Sequence, residues 1–542
     1  MAHFEGQLVD LFARRIYPAR IVIRQGRIAA IEPLTKAPSV FLLPGFVDAH
    51  IHIESSLLTP SRFAPLALAH GTVATVSDPH EIANVLGIEG IDFMIEDAQR
   101  TPLHIAFGAP SCVPATPFET SGAVLDADAI KTLLERPDIG YLSEMMNYPG
   151  VIDRDPQVMA KIEAARQAGK PIDGHAPGLR GEALKRYARA GIATDHECTT
   201  LEEAEEKIAL GMKILIREGS AAKNYEALAP LLAKHPERVM FCSDDRHPDD
   251  LLGGHIDRLA ARAVADGFDL FDILRAASLN AIDHYNLPVG MLRVGDRADF
   301  VEVEDLRSFR VLRTVIGGET VAQNGQPATP LPPPSKHPNR FEARPLSPQN
   351  LRLPACRGKI RVIEAHDGSL LTGHLQLAAK EIGDPSRDLL KIVVLNRYEP
   401  HATPALGAVR GFGLKRGAMA ASIAHDSHNL VAVGCDDDAL ATVLNAVIAQ
   451  KGALAATDGR TLHSLPLPVA GLMSDAEGAK VAAEYARLRD FVRTRLGSPL
   501  ASPFMTLSFM ALPVIPELKL TDRGLFDARG FDHIPLCSKE SR

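Results

Sequence analysis

The sequence has no uninterrupted apolar run of the about 20 residues needed to cross a bilayer, so no membrane-spanning helix is expected. Its first ten residues, Met1 to Asp10, lack a basic segment followed by an apolar one, and no secretory leader is read there. The expected location is the cytoplasm. The six cysteines, Cys112, Cys198, Cys242, Cys356, Cys435 and Cys537, stand singly with no C-x-x-C pair. That spacing argues against a structural zinc site and gives no sign of a disulfide framework, and most of the six are expected to be reduced core residues. A formal charge of −8 gives no basic surplus for phosphate backbones, so nucleic acid is not an expected partner.

What is present is apolar material for more than one core: 542 residues, 46% hydrophobic and 23% charged, exceed an ordinary single domain. The run Ile21 to Ile31 places apolar segments on either side of Gly26, a hairpin signal. Strand-like residues return at Asp299 to Val303 and Val311 to Val321, and the two flanks are expected to pair as one β-sandwich (1–43 and 289–323). Between them, over 44–288, eight strand-like segments begin near Phe46, Val73, Ile105, Tyr141, Ile172, Ala193, Ile214 and Val239. Most are separated by helix-length stretches, the rhythm of a (β/α)8 barrel. Residues 324–354 hold nine prolines and read as a linker, because proline lacks an amide donor and restricts its neighbour. The remainder, 355–542, mixes strand-like and helical runs as an α/β or α+β domain.

The densest chemical signal is Pro44-Gly45-Phe46-Val47-Asp48-Ala49-His50-Ile51-His52. Residues two apart on a strand face one side, so His50 and His52 can present two imidazoles to one metal ion. An isolated H-x-H also fits two surface histidines. Further ligand types, however, close later barrel strands: Glu144 after Tyr141-Leu142-Ser143, His175 after Ile172-Asp173-Gly174, His196 after Thr194-Asp195, and Asp244 after Phe241-Cys242-Ser243. Barrel enzymes place their sites at that end. Six such side chains converging there would repel or stay unpaired without a cation.

With these motifs, and with Gly411 to Lys415, Ala424 to Asn429 and Leu465 to Ser474, the chain resembles the amidohydrolase superfamily and, within it, the bacterial adenine deaminase family, over essentially its full length. The resemblance implies two divalent metals, with His50, His52 and Asp244 on one and His175 and His196 on the other. Mn²⁺ or Fe²⁺ is favoured, and Zn²⁺ is compatible with the donor set. Where many relatives bridge the metals with a carboxylated lysine, this chain offers Glu144. The resemblance also implies adenine as substrate in purine salvage, and a homo-oligomer such as a dimer.

Such a centre activates water for attack on an electron-poor ring carbon, with Asp244 as proton shuttle and His196 orienting the group attacked. A cyclic-amide hydrolase, or a deaminase of another aminated heterocycle, would use the same centre. A metal-binding relic with a ligand-binding C-terminal domain is the non-enzymatic alternative. Cytidine-type zinc deaminases are excluded by the missing P-C-x-x-C. The cluster His425, Asp426 and His428 can ligate metal, line the pocket or hydrogen-bond in a core; the expectation is that it closes over the barrel mouth and contacts the purine. His80 and Glu81, in Ser77 to Glu81, are a second candidate substrate contact, or a solvated turn.

Overall fold

A computed structural model describes residues 2–356 and 358–538. Eight parallel strands follow one another in sequence order: β1 (Phe46–Ile51), β2 (Thr72–Ser77), β3 (His104–Ala109), β4 (Ile139–Met145), β5 (Ile172–Gly174), β6 (Thr194–Asp195), β7 (Lys213–Arg217) and β8 (Val239–Cys242). Each begins within about two residues of its predicted start. Every residue of β1 and β2 is buried, as expected of parallel strands covered on both faces. Gly45 precedes β1 because a Cβ there would stand 2.3 Å from the Val73 side chain. Among the connecting helices, Leu201–Ala209 is capped at its start: the Thr200 hydroxyl accepts the Glu203 N–H at 3.3 Å.

The strands form runs of five and three, joined by backbone bonds. Ala193 N–H donates to the Ile172 carbonyl at 2.9 Å, and Asp244 N–H donates to the His50 carbonyl at 2.9 Å. The second bond returns β8 to β1. Side chains reinforce this seam: the buried Asp48 carboxylate accepts Ser243 N–H at 3.0 Å and lies 2.8 Å from His255 Nε2.

The two flanks do meet, in one continuous eight-stranded sheet. The reason is strand Phe41–Pro44, which pairs with Ala2–Asp10 on one side and Phe300–Val303 on the other, stitching both flanks into one hydrogen-bonded surface. The predicted hairpin turn falls at Gln25 and Gly26, whose φ values of +49° and +73° suit the twist of the flanking strands. The proline-rich segment is largely irregular yet docked: Arg62 donates to the Leu331 carbonyl at 2.7 Å and Arg100 to the Pro332 carbonyl at 2.6 Å. It also adds the edge strand Gln326–Pro327 and buries Leu351 in the next core.

That core belongs to a second eight-stranded sheet covered by helix Asp437–Ala449, whose Leu440, Val443, Leu444 and Val447 face it. Cys356 and Cys537 form a disulfide, Cα atoms 5.6 Å apart, a pairing of which the cysteine spacing gave no sign. Pairing is set by tertiary contact: Arg361 N–H donates to the Leu536 carbonyl at 2.9 Å, laying the C-terminal segment beside strand Lys359–Glu364. Cys112, Cys198 and Cys242 are buried and free, as expected. Among the described residues no helix is long and apolar enough to cross a membrane.

Lys519 is fully buried, and its ammonium donates to the Leu370 carbonyl at 2.8 Å and the Phe509 carbonyl at 3.0 Å. Burial pushes its pKa down to about 7. An unfolded lysine takes up its proton near about pH 10.4, so between these values the unfolded state binds more protons and the Lys519 contribution to stability rises with pH. Denaturant titrations from pH 7 to 10 should show the wild type gaining on Lys519→Met, by on the order of 4 kcal/mol at most. Parallel curves for the two proteins would contradict this account.

Candidate metal centre

β1 ends with His50 and His52 on one side, their rings edge to face at 4.8 Å. Closure of the barrel brings His196, at the end of β6, to stack on His50 with ring centroids 4.1 Å apart. Glu144, from β4, lies between two pairs of imidazoles. Its Oε1 is 3.3 Å from His52 Nε2 and 4.0 Å from His50 Nε2; its Oε2 is 2.7 Å from His175 Nδ1 and 3.3 Å from His196 Nε2. Asp244 Oδ1 completes the first pair, at 3.5 Å from His50 Nε2 and 3.2 Å from His52 Nε2. All six predicted positions therefore converge, and all are buried.

Divalent metal fits this donor set. Nε2 of His50 and Nε2 of His175 are buried without a hydrogen-bond partner among the described residues, which a ligand must otherwise satisfy. The Asp78 carbonyl lies 3.1 Å from His52 Nδ1, so that nitrogen carries the proton and Nε2 turns its lone pair towards Glu144 and Asp244. Burial works against charge on the carboxylates, but Arg217 and the imidazoles hold Asp244 well below the ordinary carboxylate range, and His175 does the same for Glu144. Asp244 adopts φ +55°, a left-handed conformation costing on the order of 1 kcal/mol for a residue other than glycine. The seam bond of its own N–H to His50 keeps it there, with the carboxylate turned into the site.

Two participants escaped the sequence reading. Arg217, the last residue of β7, donates from Nη1 to Asp244 Oδ2 at 2.6 Å and grips the Glu197 carboxylate through both Nη atoms. Glu197 Oε1 is in turn 3.4 Å from His196 Nε2. The available signal was a charged residue closing the apolar run Ile214-Leu215-Ile216, at the level where neighbouring strands end in candidate ligands.

The loop after β2 is no solvated turn. His80 and Glu81 are buried and open helix His80–Leu86, with His80 Nδ1 3.5 Å from Glu144 Oε1. Glu81 reaches across to the C-terminal domain: its Oε1 is 2.7 Å from His425 Nδ1, and its Oε2 contacts His428 Nε2. His425 stacks on Phe509 at 4.7 Å, and Asp426 Oδ1 faces His80 Nε2 at 3.8 Å. The later motifs hold this wall in place. Tyr398 donates to the Ser427 carbonyl at 2.6 Å, Asn429 to the Thr120 carbonyl at 2.9 Å, and Ser474 N–H to the Leu57 carbonyl at 2.8 Å. One cavity is lined by both clusters and by the apolar Leu370, Phe509 and Leu512.

Imidazoles and carboxylates gathered at the C-terminal ends of a parallel barrel define a metal-dependent barrel hydrolase. The amidohydrolase family profile matches residues 41–321, and the profile of the adenine deaminase C-terminal domain matches 370–532. Adenine deaminase from Salinibacter ruber is 56% identical over 98% of both chains, and that from Sulfurovum sp. is 54% identical over 99% of both. Adenine deaminase from Methanosarcina mazei is 50% identical over the whole of both chains. The chain belongs to the amidohydrolase family and, within it, to the adenine deaminases.

Because the buried donors rely on a cation, stripping the protein with a chelator should lower its thermal midpoint and restoring Mn²⁺ should recover it. Saturation at about 100 times Kd corresponds to about 2.7 kcal/mol. Identical melting of stripped and reloaded protein would remove the structural argument for bound metal.

Proposed function

We propose that this protein hydrolyses adenine to hypoxanthine and ammonia, serving cytoplasmic purine salvage as a homo-oligomer such as a dimer. The observation that carries the reading is the placement of Glu144 between two histidine pairs with Asp244 beside one of them, in a chain of the adenine deaminase family. On this reading His50, His52 and Asp244 would hold one divalent ion and His175 and His196 the other, with Glu144, lying between the two pairs, available as a ligand to both. Mn²⁺ or Fe²⁺ suits the mixed imidazole and carboxylate set, and Zn²⁺ is compatible with it. Bound ions supply water that ionises near neutral pH.

The reaction forms a bond from water oxygen to carbon 6 of adenine and breaks the bond from carbon 6 to the exocyclic nitrogen. Of the two water protons, one ends on a ring nitrogen and the other on the departing amine, which leaves as ammonia. On this reading Asp244 carries them. Its Oδ1 faces the histidine pair while Oδ2 is anchored by Arg217, which keeps the carboxylate ionised until it accepts a proton. His196, fixed between the His50 ring and the carboxylates of Glu144 and Glu197, orients the group under attack. The wall made by His80, Glu81, His425 and Asp426, with His428 behind it on Glu81, closes the cavity over the purine, and Phe509 and Leu512 supply apolar surface for its faces.

The test is ammonia and hypoxanthine release from adenine by protein expressed with Mn²⁺ and with iron chelated. Asp244→Asn should lower kcat by about 10²-fold or more while the metal centre is still occupied. No turnover by fully metallated wild type would reject adenine as substrate. Replacing His425 and His428 together with alanine should raise KM for adenine, and unchanged kinetics would remove the wall from substrate recognition.

A further inference from the structure

The wall of the cavity has a geometry of its own. Four donor atoms lie close together where the barrel meets the C-terminal domain: His80 Nε2 and Glu81 Oε1 from the barrel, His425 Nδ1 and Asp426 Oδ1 from the other side. Their separations are 2.7 Å for Glu81 to His425, 3.5 Å for His80 to Glu81, 3.6 Å for His425 to Asp426 and 3.8 Å for His80 to Asp426. Hydrogen bonds between such groups fall at about 2.7–3.2 Å, so only the first pair qualifies. Ligands about 2.0–2.2 Å from a common ion stand about 3.3–3.6 Å apart in a tetrahedral shell, close to the other three separations.

Second observations point the same way. Asp426 Oδ2 is buried and has no hydrogen-bond partner among the described residues. The Asp78 carboxylate lies 3.1 Å from His80 Nδ1; with the proton held on that nitrogen, the Nε2 lone pair turns towards Glu81 and Asp426. That carboxylate–histidine pairing is the usual support of a metal-bound imidazole. The ligand atoms of His80, Glu81 and Asp426 also fall within 4.8 Å of one another. Two carboxylates enclosed at that distance repel unless a positive charge lies between them.

We propose that His80, Glu81, His425 and Asp426 form an additional site for a first-row divalent cation, distinct from the Glu144 centre, which latches the C-terminal domain to the barrel loop after β2. Two imidazoles and two carboxylates match the tetrahedral preference of zinc-sized ions and also accept Mn²⁺ or Co²⁺. The site sits in the wall assigned above to substrate, yet it does not depend on what that substrate is. It alters how the wall is held: a cation spanning the interface fixes the cavity closed.

The experiment loads full-length apoprotein with Mn²⁺ or Co²⁺, removes excess metal and counts bound ions by elemental analysis. Compared with wild type, His425→Ala and Asp426→Asn should each lose one equivalent, and the Co²⁺-loaded variants should lack the corresponding part of the wild-type visible absorption. His50→Ala should retain that part of the spectrum. Equal metal content in wild type and both variants overturns the proposal and leaves protons as the charges that hold the wall. Asp426→Asn is nearly isosteric, and circular dichroism confirms which variants are folded. If neither variant folds, Co²⁺ titration of the wild type decides: absorption complete with the Glu144 centre alone overturns the site, and a separate later increment supports it. Because metal counting is independent of turnover, failure of the adenine assay leaves this test intact.

Discussion

Everything at the barrel mouth depends on the seam between the first and last strands. One backbone bond, Asp244 N–H to the His50 carbonyl, sets a carboxylate from residue 244 beside imidazoles from residues 50 and 52. Asp48, one turn of the pleat below, ties the same two strands through Ser243 and His255, so closure is secured on both backbone and side-chain levels. Without closure the histidine pair would face a cavity lacking its acid. The strained φ of Asp244 is the local cost of aiming that acid inwards.

Charge balance then governs the rest of the site. Glu144, Glu197 and Asp244 are buried carboxylates, and each is surrounded by imidazole or guanidinium. Arg217 divides itself between Glu197 and Asp244, which holds both acids ionised and leaves one Asp244 oxygen directed at the histidines. An arginine suits this role because its planar fork serves two carboxylates at once and does not lose its proton. Its contacts position the Asp244 and Glu197 carboxylates.

The second domain is part of the site rather than an appendage. Its sheet and covering helix form a separate core, but the segment from Ala424 to Asn429 leaves that core to lie against the barrel loop carrying His80 and Glu81. Buried Lys519 fastens Leu370 and Phe509, two apolar members of the same cavity wall, through their carbonyls. The long motifs that make the family resemblance specific are thus those that bring the wall to the mouth: Ser474 docks on Leu57, and Asn429 on Thr120.

Local pattern by itself determined the eight strands, because buried parallel strands must be apolar runs and helix-length spacers separate them. It also determined the histidine pair, since a two-residue repeat leaves His50 and His52 on one face, and the ligands that terminate later strands. Tertiary structure alone decided three other things. Arg217 and Glu197 matter through distances to Asp244 and His196 that no spacing encodes. Cys356 and Cys537, separated by 181 residues, pair because a sheet lays one segment beside the other. The flanking strands make one sheet because Phe41–Pro44 has both edges free to pair, and hydropathy reports which face of a strand is buried but not which strand lies at its edge.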